Sequence, residues 1–169
     1  MKENTENTRV RRIQEELLGF LPLWNYHITK PFKQLLDEGV SLEMYYSLQV
    51  LRLIGDAATM TEFGKYTRMP KQQVTKMVNR LVERNFVERI YDPTNRRIIR
   101  IRLTETGEEY IGHFLTEDAG CFRNLLEQLT PEECGQFEEA IKTLYEILSR
   151  LPLGEQSPEE TENLKENLR

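Results

Sequence analysis

At 169 residues and 20.0 kDa the chain can bury a real core as one domain or as a small module with helical extensions, which excludes an isolated peptide. Charged residues make up 30% and mean hydropathy is −0.60. No apolar run reaches the roughly 18 residues of a membrane span, and the polar start MKENTENTRVRR lacks a secretory signal, so a soluble, cytoplasmic protein is expected.

Apolar residues Val10, Ile13, Leu17, Phe20, Leu21, Trp24 and Ile28 recur at three and four positions, which predicts an amphipathic helix. Pro22 and Pro31 should kink it, and Gly39 should end it. Ser41 is placed to cap a second helix that runs to Gly55. A short helix over 61–66, the turn Thr67-Arg68-Met69 and a longer helix opened by Pro70 follow. On the longer helix Val74, Met77, Val78, Leu81 and Val82 form one face, and Gln72, Gln73, Thr75, Lys76, Asn79 and Arg80 the other. Asn85 suits a left-handed stop. Two strands are predicted, over 86–91 and 97–103, joined by the turn chemistry of Asp92-Pro93-Thr94-Asn95. From Thr106, with Glu109 completing a capping box, one helix is expected to reach about Leu129. Thr130-Pro131-Glu132-Glu133 repeats the start signal for a last helix ending near Leu151-Pro152. Residues 152–169 are acidic and apolar-poor, the composition of a flexible tail.

The net charge of −5 conceals a strong asymmetry. Residues 65–102 hold eleven bases and three acids, a net +8, so the remainder carries −13. A basic segment in an acidic chain is the electrostatic footprint of a polyanion-binding face. Helix, turn, helix, strand, turn, strand is also an order suited to DNA. A helix fits the major groove, where glutamine and asparagine pair with adenine edges and lysine or arginine with guanine, while arginines on a hairpin enter the narrow minor groove. The candidate DNA-binding residues are Lys71, Gln72, Gln73, Thr75, Lys76, Asn79, Arg80, Arg96, Arg97 and Arg100.

At these residues the chain resembles the MarR family, the multiple-antibiotic-resistance regulators, over about residues 10–151. The resemblance is carried by MTEFGKYTRMPKQQVTKMVNRLVERNFVERIYDPTNRRIIRIRLTETG, which follows the family pattern through recognition helix, Asp-Pro wing and Leu-Thr-x-x-Gly exit. Arg68, Asn85 and Asn95 stand where the family commonly has glycine, glycine and aspartate. The resemblance implies a mainly α protein with a small β-hairpin, a winged helix-turn-helix flanked by N- and C-terminal dimerisation helices. It divides the chain into an N-terminal helix (1–40), a DNA-binding domain (41–106), C-terminal dimerisation helices (107–151) and the tail (152–169). It also implies a homodimeric repressor on a pseudo-palindromic operator in double-stranded DNA, with helix 70–84 in the major groove and wing 91–97 in the minor groove. Control by small ligands or oxidation is a further implication.

Trp24, Tyr26, His27, Met44, Tyr45, Tyr46, Phe114 and Phe122 belong to helices that, by the same resemblance, meet between the dimerising and DNA-binding parts. They either line a pocket for a small-molecule effector or form aromatic core. No cofactor or metal is expected: His27 and His113 are the only histidines, without ligand spacing. Catalysis has no glycine-rich phosphate loop or nucleophile elbow to stand on. Cys121 and Cys134 lack CxxC spacing, and Cys134 lies among Glu132, Glu133 and Glu138, the wrong setting for a reactive thiolate. A winged-helix module for protein contacts is the competing function, because fold alone does not decide it.

Overall fold

The computed structural model describes residues 2–55, 57–91, 95, 98–116 and 120–151. Helix α1 spans Lys2–Trp24, contains Pro22, and passes into a widened π-helical turn, Asn25–Thr29, before α2, Lys30–Leu35. The expected kink is therefore a change of helical pitch: the Lys30 N–H donates to the carbonyl of Asn25, five residues back. Pro31 follows, has no N–H to give, and would press on the carbonyl four residues before it in an ordinary turn. The helical run ends at Leu35, ahead of the Gly39 expected from the sequence.

Helix α3, Leu42–Ile54, begins where Ser41 accepts a hydrogen bond from the Met44 amide at 3.2 Å. A strand not expected from the sequence, β1 at Ala58–Thr59, precedes α4, Met60–Thr67, and the second helix of the pair is α5, Lys71–Glu83. Both α4 and α5 stop in the same way. Arg68 (φ 54°) and Asn85 (φ 58°) adopt left-handed backbone. The amides of Met69 and Phe86 then reach back to Gly64 and Leu81, and those of Arg68 and Asn85 to Lys65 and Val82, which satisfies the terminal carbonyls. Strands β2, Val87–Tyr91, and β3, Ile99–Leu103, pair antiparallel, and β1 adds to the other edge of β3.

The expected single helix over 106–129 is not formed. Helix α6 covers Glu105–His113, with Thr104 rather than Thr106 as its cap, and a separate turn α7 covers Arg123–Leu126. Thr104 is selected by the sheet. Its amide donates to Phe86 O at 3.0 Å and its hydroxyl to Asn85 O, while the same hydroxyl oxygen accepts from the Gly107 amide. Thr106 instead accepts from the Asn85 carboxamide at 3.3 Å. At the far end Phe114 is buried against Phe32, Tyr45 and Tyr110. There the backbone tightens to three-residue bonds, with the Thr116 hydroxyl on the His113 carbonyl. Helix α8, Pro131–Ser149, starts with a complete Thr130–Glu133 capping box.

The core gathers α3, α4, α5, α6 and the sheet. Leu48, Phe63, Val78, Leu81 and Ile101 are fully enclosed, each stabilising the module by about 1.5–3 kcal/mol through lost apolar exposure. Val74, Met77, Val78 and Leu81 anchor α5 to this core, leaving the opposite side of the helix outside.

Candidate nucleic-acid interface

One face of α5 is apolar and buried, so its polar face is turned outward by the 3.6-residue repeat. Lys71, Gln72, Gln73, Thr75, Lys76, Asn79 and Arg80 are all exposed there. The helix begins at Pro70, whose carbonyl accepts from the Gln73 and Val74 amides at 2.8 and 3.0 Å. Thr75 is partly turned inward on its own helix, with its hydroxyl donating to the Lys71 carbonyl at 3.2 Å. These seven residues form one continuous surface of donors, acceptors and positive charge.

The sheet decides which further residues join them. Period-two alternation places Val87, Arg89 and Tyr91 of β2 on the same side as Ile99 and Ile101 of β3, toward the helices, and Glu88, Arg100 and Arg102 on the other. Arg89 donates a hydrogen bond to the carboxamide oxygen of Asn79. Lys65, Arg68, Lys71 and Arg89, with Tyr91, border a cleft of about 840 Å³ floored by Met60, Val74 and Ile99. Lys65, Arg68 and Arg89 count in the basic segment of the sequence, but neither they nor Tyr91 are among the DNA-binding candidates chosen from it. For Arg89 and Tyr91 the strand alternation was the available signal, since both share the parity of core residue Val87.

Arg100 does not join the α5 surface. It lies on the outer side of the sheet, beside Thr59 in the strand register, where its charge helps to hold the Glu62 carboxyl below its ordinary range, after the larger effect of the Thr59 hydrogen bonds. Arg102 is likewise engaged across the strands with Glu88 at 2.6 Å. Arg96, Arg97 and the Asp92-Pro93-Thr94 part of the expected turn lie outside the described residues, as does the 152–169 tail. The Asn95 carbonyl accepts from the Ile98 amide at 2.9 Å, just ahead of β3.

The aromatic candidates do not converge on one pocket. Met44 and Phe114 are buried, and Tyr45 packs edge-on against Phe32 and Phe114. Burial raises the Tyr45 hydroxyl above its ordinary pKa, against the bond it receives from Gln49 at 2.6 Å. Tyr26, 66% exposed, and His27 instead line a smaller cavity of about 360 Å³ with Pro31, Leu35, Phe122 and Leu125. Trp24 packs on Phe20 along α1, and Tyr46 is half exposed beside Tyr45. Burial pushes the Cys121 thiol up, opposite to what a reactive thiolate needs. No cluster of metal-binding side chains and no helix long and apolar enough to cross a membrane occurs among the described residues.

Comparison with known proteins agrees with this architecture. Residues 39–98 match the MarR family model. The chain is 30% identical over 106 residues to YsmB of Bacillus subtilis, an HTH-type transcriptional regulator, covering 63% of this chain and 72% of that protein. It is 30% identical over 86 residues to the transcriptional repressor MprA of Escherichia coli, covering 51% and 47% of the two chains. In fold it is similar to a mutant MepR of S. aureus bound to an oligodeoxyribonucleotide, with a TM-score of 0.58 at 19% identity over 78% of this chain and 97% of that one. The chain belongs to the MarR family of winged helix-turn-helix transcriptional regulators.

Proposed function

We propose that the chain is a homodimeric repressor that binds a pseudo-palindromic operator in double-stranded DNA. Helix α5 enters the major groove and the wing, residues 91–97, the minor groove with Arg96 and Arg97. The observation that carries this reading is the exposed row from Lys71 to Arg80 on a helix whose other face is locked into the core. Its glutamines, asparagine and cations are the side chains that pair with base edges and phosphates. The similarity to DNA-bound MepR and to the repressor MprA supports it. Catalysis has no part in this role, and its place of action is the cytoplasm.

Dimerisation is supported by apolar surface that one chain leaves uncovered. Leu17, Leu18 and Leu21 of α1 and Leu144, Ile147 and Leu148 of α8 are exposed, and a second copy of the same surface would cover them symmetrically. Residues 1–40 and 107–151 are accordingly assigned to the dimer and 41–106 to DNA. The cavity at Tyr26 and His27, lined by residues of the N- and C-terminal helical segments, is the proposed site at which a small molecule releases the operator; Met44, Tyr45 and Phe114 serve as core.

Selection of genomic fragments by the purified protein, followed by footprinting, tests the proposal. The expected result is an inverted repeat with half-sites about 34 Å apart, one helical turn, and loss of transcription from the adjoining promoter in a reconstituted assay. Binding without any sequence preference would favour a protein-contact module and refute this reading.

A further inference from the structure

Asn79 stands on the exposed face of α5, one helical turn beyond Thr75. A free asparagine pairs with adenine because its carboxamide oxygen accepts from N6 while its amino group donates to N7. Here one of the oxygen's two lone pairs is already engaged, which fixes the direction of the carboxamide. Arg89, on the helix-facing side of β2, donates to it, and a guanidinium has only donors, so the atom it meets must be the carboxamide oxygen. Arg89 is itself constrained: its backbone is paired with Ile101 in the sheet, and it lines the cleft that Lys71 and Thr75 also line.

We propose that Arg89 is a positioning residue for base recognition, holding the Asn79 oxygen toward the sheet so that Asn79 meets DNA with its amino group and selects guanine over adenine. With the oxygen held, Asn79 offers DNA its two amino hydrogens. Guanine presents two adjacent major-groove acceptors, O6 and N7, which suit that group. Adenine presents N7 beside an N6 donor, which would face another donor and lose its partner. This inference rests on the reading of α5 as the major-groove helix.

The test is selection of bound duplexes from a randomised library by the full-length protein, followed by sequencing, for the wild type and for Asn79→Ala, Arg89→Met, Arg89→Lys and Asn79→Asp. Asn79→Ala should erase preference at one symmetry-related pair of positions, where the wild type favours guanine over adenine about tenfold. Arg89→Met should move those positions toward adenine and leave the others unchanged, whereas Arg89→Lys, which retains a donor, should keep guanine. Asn79→Asp keeps a partner for Arg89 but turns an acceptor toward DNA, and should shift the same positions to cytosine. If Arg89→Met shows no cooperative melt, the wild-type choice of guanine or adenine at the Asn79-dependent positions carries the decision. Adenine at the Asn79-dependent positions in the wild type overturns the proposal. So does an Asn79→Ala protein with an unaltered consensus, a folded Arg89→Met protein that still prefers guanine, or an Asn79→Asp protein that does. Those results leave the major-groove reading standing, while failure of the wild type to enrich any sequence removes both.

Discussion

The guanidinium of Arg84, just past the end of α5, occupies the space that a side chain on Gly39 would need. A methyl group at Gly39 would come within 2.1 Å of Arg84 Nη2, the nitrogen that donates to the Glu38 carbonyl at 2.7 Å. Beside it the Asp37 amide donates to the Tyr110 hydroxyl at 3.2 Å. The loop after α2 is thus tied to the end of the proposed recognition helix and to α6. These ties connect the N-terminal helices physically to the end of α5.

Gly39→Ala should destabilise the protein by about 2 kcal/mol, combining left-handed backbone strain at φ 77° with loss of the Arg84 bond. Arg84→Met removes only the bond and should cost about 1 kcal/mol. Thermal melts of the two variants check the order; equal losses would mean that the glycine conformation contributes nothing.

Gly107→Ala should be more damaging, because its added methyl would lie 2.3 Å from the Phe86 carbonyl oxygen, a backbone atom that cannot rotate aside. Helix α6 would have to move off the Phe86 backbone just before β2, at a cost of about 3 kcal/mol. A cooperative melt within a degree of wild type would contradict the close packing of α6 on the sheet.

The cap of α4 predicts an acid dependence. The Thr59 backbone and side chain donate to Glu62 at 2.7 and 2.8 Å and hold its carboxyl below the ordinary value. A lowered folded-state pKa contributes stability above the unfolded pKa, about 4.3 for glutamate, and that contribution fades as pH falls through the folded value. Glu62→Gln should therefore melt below wild type at pH 7, with the gap closing as the solution is taken below pH of about 4. A gap independent of pH would show that the charge is not what stabilises the cap.

Base reading and charge anchoring should separate in binding measurements. Gln73→Ala should cost about 1–3 kcal/mol on the selected operator and little on random DNA, with an unchanged salt slope. Arg96→Ala should weaken both kinds of DNA and lower the salt slope by about one unit per lost contact. If Arg96→Ala, Arg97→Ala together alter neither affinity nor slope in a folded protein, the wing makes no contact with DNA.

The uncovered stripes predict oligomeric state. Sedimentation at micromolar concentration should give about twice the chain mass, and Leu144→Asp, Leu148→Asp should shift it toward monomer and abolish cooperative operator binding. Wild-type protein that sediments as a stable monomer would remove the basis for a two-fold operator.

Much of the fold was legible because its signals are local. Ser41 and Thr130–Glu133 cap the helices that follow, Asn85 takes the left-handed stop, and the three- and four-residue repeat of Val74, Met77, Val78 and Leu81 turns the polar face of α5 outward. Each of these depends on groups within a helical turn or so of one another. Long-range pairing decided the rest. The β2–β3 register brought Thr104 to Phe86 and so displaced the expected cap from Thr106, while burial of Phe114 among rings from α2, α3 and α6 accompanied the end of the helix near His113. Strand alternation likewise took Arg100 away from α5 and brought Arg89 to Asn79. Composition and periodicity determined that a basic polar helix would be presented; how its Asn79 is held was decided by a side chain ten residues away, whose approach only the folded chain creates.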